Sequence, residues 1–225
     1  EDHIGALPYV LKQLDVPVYG TKLTLGLVEY KLKEHGIENA SLHTVKAKDV
    51  VKFGSISVEF IKTSHSIADS VALAITTPVG VIVHTGDFKV DFTPIDGEVI
   101  DLARFASLGE KGVLALMADS TNVERPGYTM SEKTVGVTFE NIFEEAKGRI
   151  IVASFASNIH RIQQVVNAAV KHKRKLCVSG RSMVNVVNVA TELGYLNMPP
   201  NLLVDVDQIG DYPDERVVVL TTGSQ

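Results

Sequence analysis

The chain has 225 residues, 45% of them hydrophobic, with one cysteine, no tryptophan and a formal net charge of -5. That length admits one large domain or two small ones, and the apolar share excludes a disordered tail. A negative chain is not a basic nucleic-acid coat, a lone Cys177 excludes an internal disulfide framework, and no apolar run approaches the ~20 residues of a membrane span. A single thiol fits a reducing cytoplasm. Any polyanion must therefore be met by a local site, such as a helix N-terminus or a bound metal.

Ile4, Leu7, Leu11 and Leu14 recur at helical spacing and predict a helix over 4–14, directly after an Asp2-His3 pair. A short strand "VPVYG" follows, then a helix over 22–35 that presents Leu25, Val28 and Leu32 and stops at Gly36. From Ser41 to Thr85 the runs "VVKFGSISVEFIKTS", "SVALAITT" and "GVIVHTGDF" are β-branched and broken by turn residues, so they predict consecutive sheet strands. The segment "GVLALMADST" reads as one further buried strand.

After Ser131, a natural N-cap, the pattern becomes a regular alternation. The helix "SEKTVGVTFENIFEEAKG" leads to the strand "RIIVASF", the helix "SNIHRIQQVVNAAVKHK", the strand "KLCVS", the helix "RSMVNVVNVATEL" and the strand "RVVVLTT". This βαβαβ rhythm predicts a parallel, Rossmann-like sheet with functional loops at the strand carboxyl ends. The fold class is α/β, divided at 1–130 and 131–225.

Histidines and acids collect where strands give way to loops: Asp2 and His3, His65 in "TSHSIADS" and Asp87 in "HTGDFK". Imidazole with carboxylate is the ligand set of hydrolytic zinc, and a carboxylate can bridge two ions. Taken singly, each has a plainer explanation. His65 could be a hydrogen-bonded loop residue, Asp87 a turn acid, and Asp2 part of a helix N-terminus. His35, His43, His84 and His172 lack a comparable setting and read as packed or solvent-facing.

The order "DHIGALPY", "SHSIADS", "HTGDFK" resembles the metallo-β-lactamase superfamily, in which an HxHxDH run, two later histidines and an aspartate hold two metal ions. The later motifs "ADSTN" (118–122), "SFASNIHR" (154–161), "SGRSM" (179–183) and "TTGSQ" resemble the β-CASP nucleases of that superfamily, above all the ribonuclease J family. The resemblance covers essentially the whole chain. It implies a partial metallo-β-lactamase αββα sandwich over 1–130 and an incomplete Rossmann-like β-CASP domain over 131–225. It also implies that the chain starts inside its own metal motif, with the first two histidines upstream of Glu1. Ala68 stands where the family pattern has proline, a departure that leaves the ligand assignment intact.

By that resemblance Asp2, His3, His65 and Asp87 are metal ligands for two zinc ions, with manganese an alternative since the ligand types admit both. Asp2 would also orient the attacking water. Asp119 would act with a histidine that lies beyond this chain; its plainer reading is a turn acid in "DSTN". The expected activity is hydrolysis of RNA, 5′-to-3′ exonucleolytic and endonucleolytic, in a cytoplasmic and homo-oligomeric parent protein with no membrane partner. The fragment itself, short of several ligands, is expected to be inactive. A β-CASP nuclease acting on DNA or on messenger RNA 3′ ends, and a non-catalytic scaffold, are the alternatives.

The loops of the second half also carry a physical argument of their own. A helix opening near Ser157 or Asn158 exposes N–H groups to an anion, and Ser154, Ser157, His160 and Arg161 add donors. Gly180, Arg181 and Ser182 repeat the arrangement one βα unit later. These residues are expected to bind substrate phosphates, including a 5′-terminal monophosphate. The competing explanation is that the serines and asparagine only cap helices.

Overall fold

The computed structural model describes residues 3–223. They form two compact units, residues 3–65 with 69–130, and 66–68 with 131–223.

The first unit begins with α1 (Leu7–Leu11), β1 (Val18–Gly20), α2 (Lys22–Glu34) and β2 (Leu42–Thr44), with β1 and β2 paired in parallel. The helix expected over 4–14 is therefore only five residues long. Pro17 forces Val16 out of helical geometry, and Leu14, 55% exposed, finds no cover that would extend the helix toward it. By contrast α2 buries Leu23, Leu25, Val28 and Leu32 on one face. It closes on Gly36, whose φ of +72° favours glycine. Thr21 at its N-cap makes no capping bond of its own. Asp69 supplies one, accepting from the Leu23 N–H at 3.3 Å and the Thr21 hydroxyl at 3.0 Å.

The main sheet comprises β3 (Val50–Phe53), β4 (Ile56–Lys62), β5 (Val71–Thr77), β6 (Gly80–His84) and, after α3 (Leu102–Lys111), β7 (Ala115–Met117). Neighbours follow that order, antiparallel except for the parallel β6–β7 pair. Ala72 and Ala74 leave room on one face for α3, so Leu108 packs with Ile61 and Val83 and is flanked by Phe105. The sequence did not single out α3, whose only buried residue is Leu108. Arg104 clamps the helix to β4 through two 2.7 Å bonds to Glu59. Burial of Leu108 contributes about 2 kcal/mol, whereas a part-exposed ion pair contributes about 1 kcal/mol or less; packing is the stronger hold. The strand expected to be buried, β7, is exposed along its length, with Leu116 at 65%. It is an edge strand, and among the described residues nothing covers its faces.

The second unit runs α4 (Glu132–Glu145), β8 (Ile150–Ala153), α5 (Ile159–Lys171), β9 (Lys175–Ser179), α6 (Arg181–Glu192) and β10 (Val217–Thr221), with 3₁₀ turns at Val206–Asp211 and Asp214–Arg216. All three strands are parallel, in the order β8-β10-β9. The predicted parallel α/β architecture is present, and β10 lies in the middle. Ile159, Ile162, Val165, Val166 and Ala169 line the buried face of α5; Met183, Val187 and Ala190 do the same for α6. Leu176, Cys177, Val217, Val218 and Leu220 are fully buried. Arg174, also buried, donates to the carbonyls of Ala146 and Gly148 and so closes the end of α4.

Candidate functional site

In the first unit, sheet geometry delivers the predicted ligands to one place. β4 ends at Lys62 and β6 at His84, and their following loops carry His65 and Asp87. His65 Nε2 lies 3.7 Å from Asp87 Oδ2, and His3 Nε2 lies 3.2 Å from the same oxygen. Residues 84 positions apart thus meet at one carboxylate. Asp2, the other expected ligand and water-orienting acid, lies outside the described residues. Among the described residues no group of three or more His, Cys, Asp or Glu side chains is gathered for a metal ion. The donor chemistry nonetheless fits a divalent metal ion: two imidazole nitrogens and one carboxylate oxygen.

The loop around Asp87 is held by residues that sequence reasoning assigned no part. The Gly86 N–H donates to His84 Nδ1 at 3.0 Å. His84, expected to be merely packed or solvent-facing, therefore shapes the turn. Lys89 donates through its backbone to the Ser64 carbonyl at 2.7 Å, joining the two ligand loops, and through Nζ to the Met130 carbonyl at 2.6 Å. The signal for both was their place within "HTGDFK".

Asp119 follows β7 and lies near His65. The Thr121 N–H donates to it at 3.0 Å and the Thr121 hydroxyl at 2.7 Å. The bond from the Thr121 backbone is the largest influence holding its carboxyl below the usual range. The Thr121 hydroxyl, the Phe88 backbone and His65 act in the same sense, against the desolvation that opposes ionisation. The plainer reading of this residue as a turn acid describes its local bonding. Its position beside His65 and the Asp87 loop is the part that the turn does not require.

In the second unit, strand register brings the two expected anion loops to one sheet edge. Thr221 of β10 pairs with Ala153 of β8 and with Ser179 of β9. The chain after each strand therefore leaves at the same level, on either side of β10. Strand β8 stops at Ala153, two residues before the expected end at Phe155, and Ser154 N–H donates to the Thr221 carbonyl at 3.0 Å. Asn158 is the N-cap of α5, its side chain accepting the Arg161 N–H at 3.0 Å. Gly180 caps α6 with φ +97°. Ser157, Gly180, Arg181 and Ser182 are exposed, His160 is half-buried, and Ser154 and Asn158 are buried.

Two side chains of the set have partners within the unit. Asn158 gives its side-chain oxygen to the helix end, as the capping explanation has it. One terminal nitrogen of Arg161 lies 2.9 and 3.0 Å from the two oxygens of Glu132. A carboxylate one helix away was invisible to local pattern. The exposed members of the set are Ser157 and Gly180–Ser182. Among the described residues, no helix is long and apolar enough to cross a membrane.

Comparison with known proteins agrees along the chain. Residues 147–225 match the family described as Ribonuclease J, beta-CASP domain. The whole chain is 50% identical to ribonuclease J of Synechocystis sp. strain PCC 6803, spanning 36% of that protein. It is 46% identical to ribonuclease J of Helicobacter pylori strain J99, spanning 33%, and 46% identical to that of Thermus thermophilus, spanning 40%. The chain thus spans between a third and two fifths of the length of these curated relatives. A crystal structure of a protein of unknown function from Enterococcus faecalis V583 superposes on 93% of the chain and 54% of its own, with a TM-score of 0.66 at 18% identity; it shows a shared fold.

Proposed function

From a chain related to ribonuclease J along its whole length, we propose that the protein it belongs to is a metal-dependent ribonuclease, 5′-to-3′ exonucleolytic and endonucleolytic. The observation that carries this reading is the meeting of His3 and His65 on one oxygen of Asp87. Asp2, His3, His65 and Asp87 would hold a pair of divalent ions, zinc in the first instance and manganese as the alternative. Such ions lower the pKa of a bound water and neutralise charge on a phosphoryl centre. The residues of the chain have separate tasks. The two imidazoles would present nitrogen, Asp87 would offer carboxylate oxygen, and Asp2 would orient the water. Asp119, kept ionised by Thr121, holds a hydrogen-bonded proton donor toward the leaving oxygen.

In this reading residues 1–130 are metallo-β-lactamase domain and 131–225 β-CASP domain. The loops of Ser157 and Gly180–Ser182 take substrate phosphates, a 5′-monophosphate among them, with His160 beside them. Exposed helix N-termini suit a polyanion on a chain of net charge -5 better than a basic field would. The parent is read as a cytoplasmic homo-oligomer. The test is Asp87→Ala in the full-length protein. It should lose bound metal and cut RNA cleavage by roughly 10³-fold or more, with the melting temperature nearly unchanged. Normal turnover in that variant overturns the reading, and cleavage of DNA in preference to RNA replaces its substrate.

A further inference from the structure

Beside the Asp87 loop, one buried hydroxyl is bound on two sides at once. Thr85 directly follows β6 and is 7% exposed. Its N–H donates to the Met117 carbonyl at 3.0 Å, the ordinary contact between parallel strand ends. Its Oγ1 accepts the Asp119 N–H at 3.0 Å and donates to the Gly86 carbonyl at 2.7 Å. A hydroxyl has one proton, so the nearer Gly86 oxygen takes it, and the 3.5 Å approach to the Met117 carbonyl is secondary. Gly86 turns the chain with φ +58° immediately before Asp87. One side chain therefore ties the backbone that launches Asp87 to the backbone that launches Asp119. Strand pairing alone does not need it, because the Thr85 N–H already makes that bond.

We infer that Thr85 is a positioning residue, whose buried hydroxyl sets the spacing between the carboxylates of Asp87 and Asp119. The inference rests on the ribonuclease reading above for its catalytic meaning. It assigns to an uncharged residue a share of the geometry that the reaction requires, since displacements of about 1 Å at reacting groups cost on the order of 10²-fold in rate.

The experiment compares Thr85→Val, which keeps the shape and removes the hydroxyl, with Thr85→Ser, which keeps the hydroxyl, in the full-length protein. Thr85→Val should lower kcat for RNA cleavage by roughly 10–100-fold while KM stays near the parent value. Thr85→Ser should restore kcat. Hydrogen exchange at the Asp119 amide should be slow in the parent and in Thr85→Ser, and faster in Thr85→Val. Unchanged kcat in Thr85→Val, or an equal loss in both variants, overturns the inference. Should Thr85→Val fail to fold, an unprotected Asp119 amide in the parent or an inactive, folded Thr85→Ser overturns it equally. A parent protein that cleaves no RNA overturns the ribonuclease reading instead, and is recognised because Asp119 amide protection still follows the hydroxyl.

Discussion

Strands β7 and β10 are both short apolar runs, "ALM" and "VVVLT", and the first was expected to be buried. In β10, bonded to a strand on each side, Val217, Val218 and Leu220 are 0% exposed. In β7, bonded on one side only, every residue is exposed. The same kind of sequence thus supports stability in one unit, while in the other it carries Asp119 beside the ligand loops. Hydrophobicity reports that a strand can be buried. Its place in the sheet decides whether it is.

Truncating each strand measures that difference. Leu220→Ala should destabilise the second unit by about 2–5 kcal/mol, the range for a fully buried leucine. Leu116→Ala should change the stability of the 225-residue chain by no more than about 0.5 kcal/mol, both read from denaturant midpoints. A large loss at Leu116 would show that β7 is covered, and the contrast would fail.

The second unit also tests whether its loops serve structure. Asn158→Ala removes the cap of α5 and should cost about 1 kcal/mol, whatever it does to RNA binding; no loss of stability would return Asn158 to a ligand role alone. The smallest effect concerns Glu140. The Lys171 ammonium at 2.6 Å is the leading cause that holds its carboxyl below the usual range, with His172 at 3.2 Å assisting. A lowered folded-state pKa stabilises fully above the unfolded value of about 4.3 and is lost as pH falls through the folded one. Glu140→Gln should therefore cost under about 1 kcal/mol at pH 7, because the pair is partly solvated, and nothing near pH 2. Melting curves at the two pH values check this.

What could be read from residues alone followed the range of the forces involved. The helices α2, α5 and α6 were legible because each buries a periodic face. Helix α4, where only Phe143 is buried, was legible from its Ser131 cap, whereas α3, where only Leu108 is buried, was not singled out. His65 and Asp87 were read together from their motifs, and their side chains approach to 3.7 Å. The Glu132 partner of Arg161 and the Thr85 bond to Asp119 join residues 29 and 34 positions apart, where no local pattern reaches.

The middle place of β10 has a consequence for how the protein is made. Its two neighbours, Ile150–Ala153 and Lys175–Ser179, leave the ribosome well before Val217 does. Until then they flank a gap one strand wide and cannot bond to each other in the final register. Synthesis must pass Val217 before the three-stranded sheet can close, so a nascent chain stalled short of Val217 exposes two unsatisfied apolar edges for chaperones to meet.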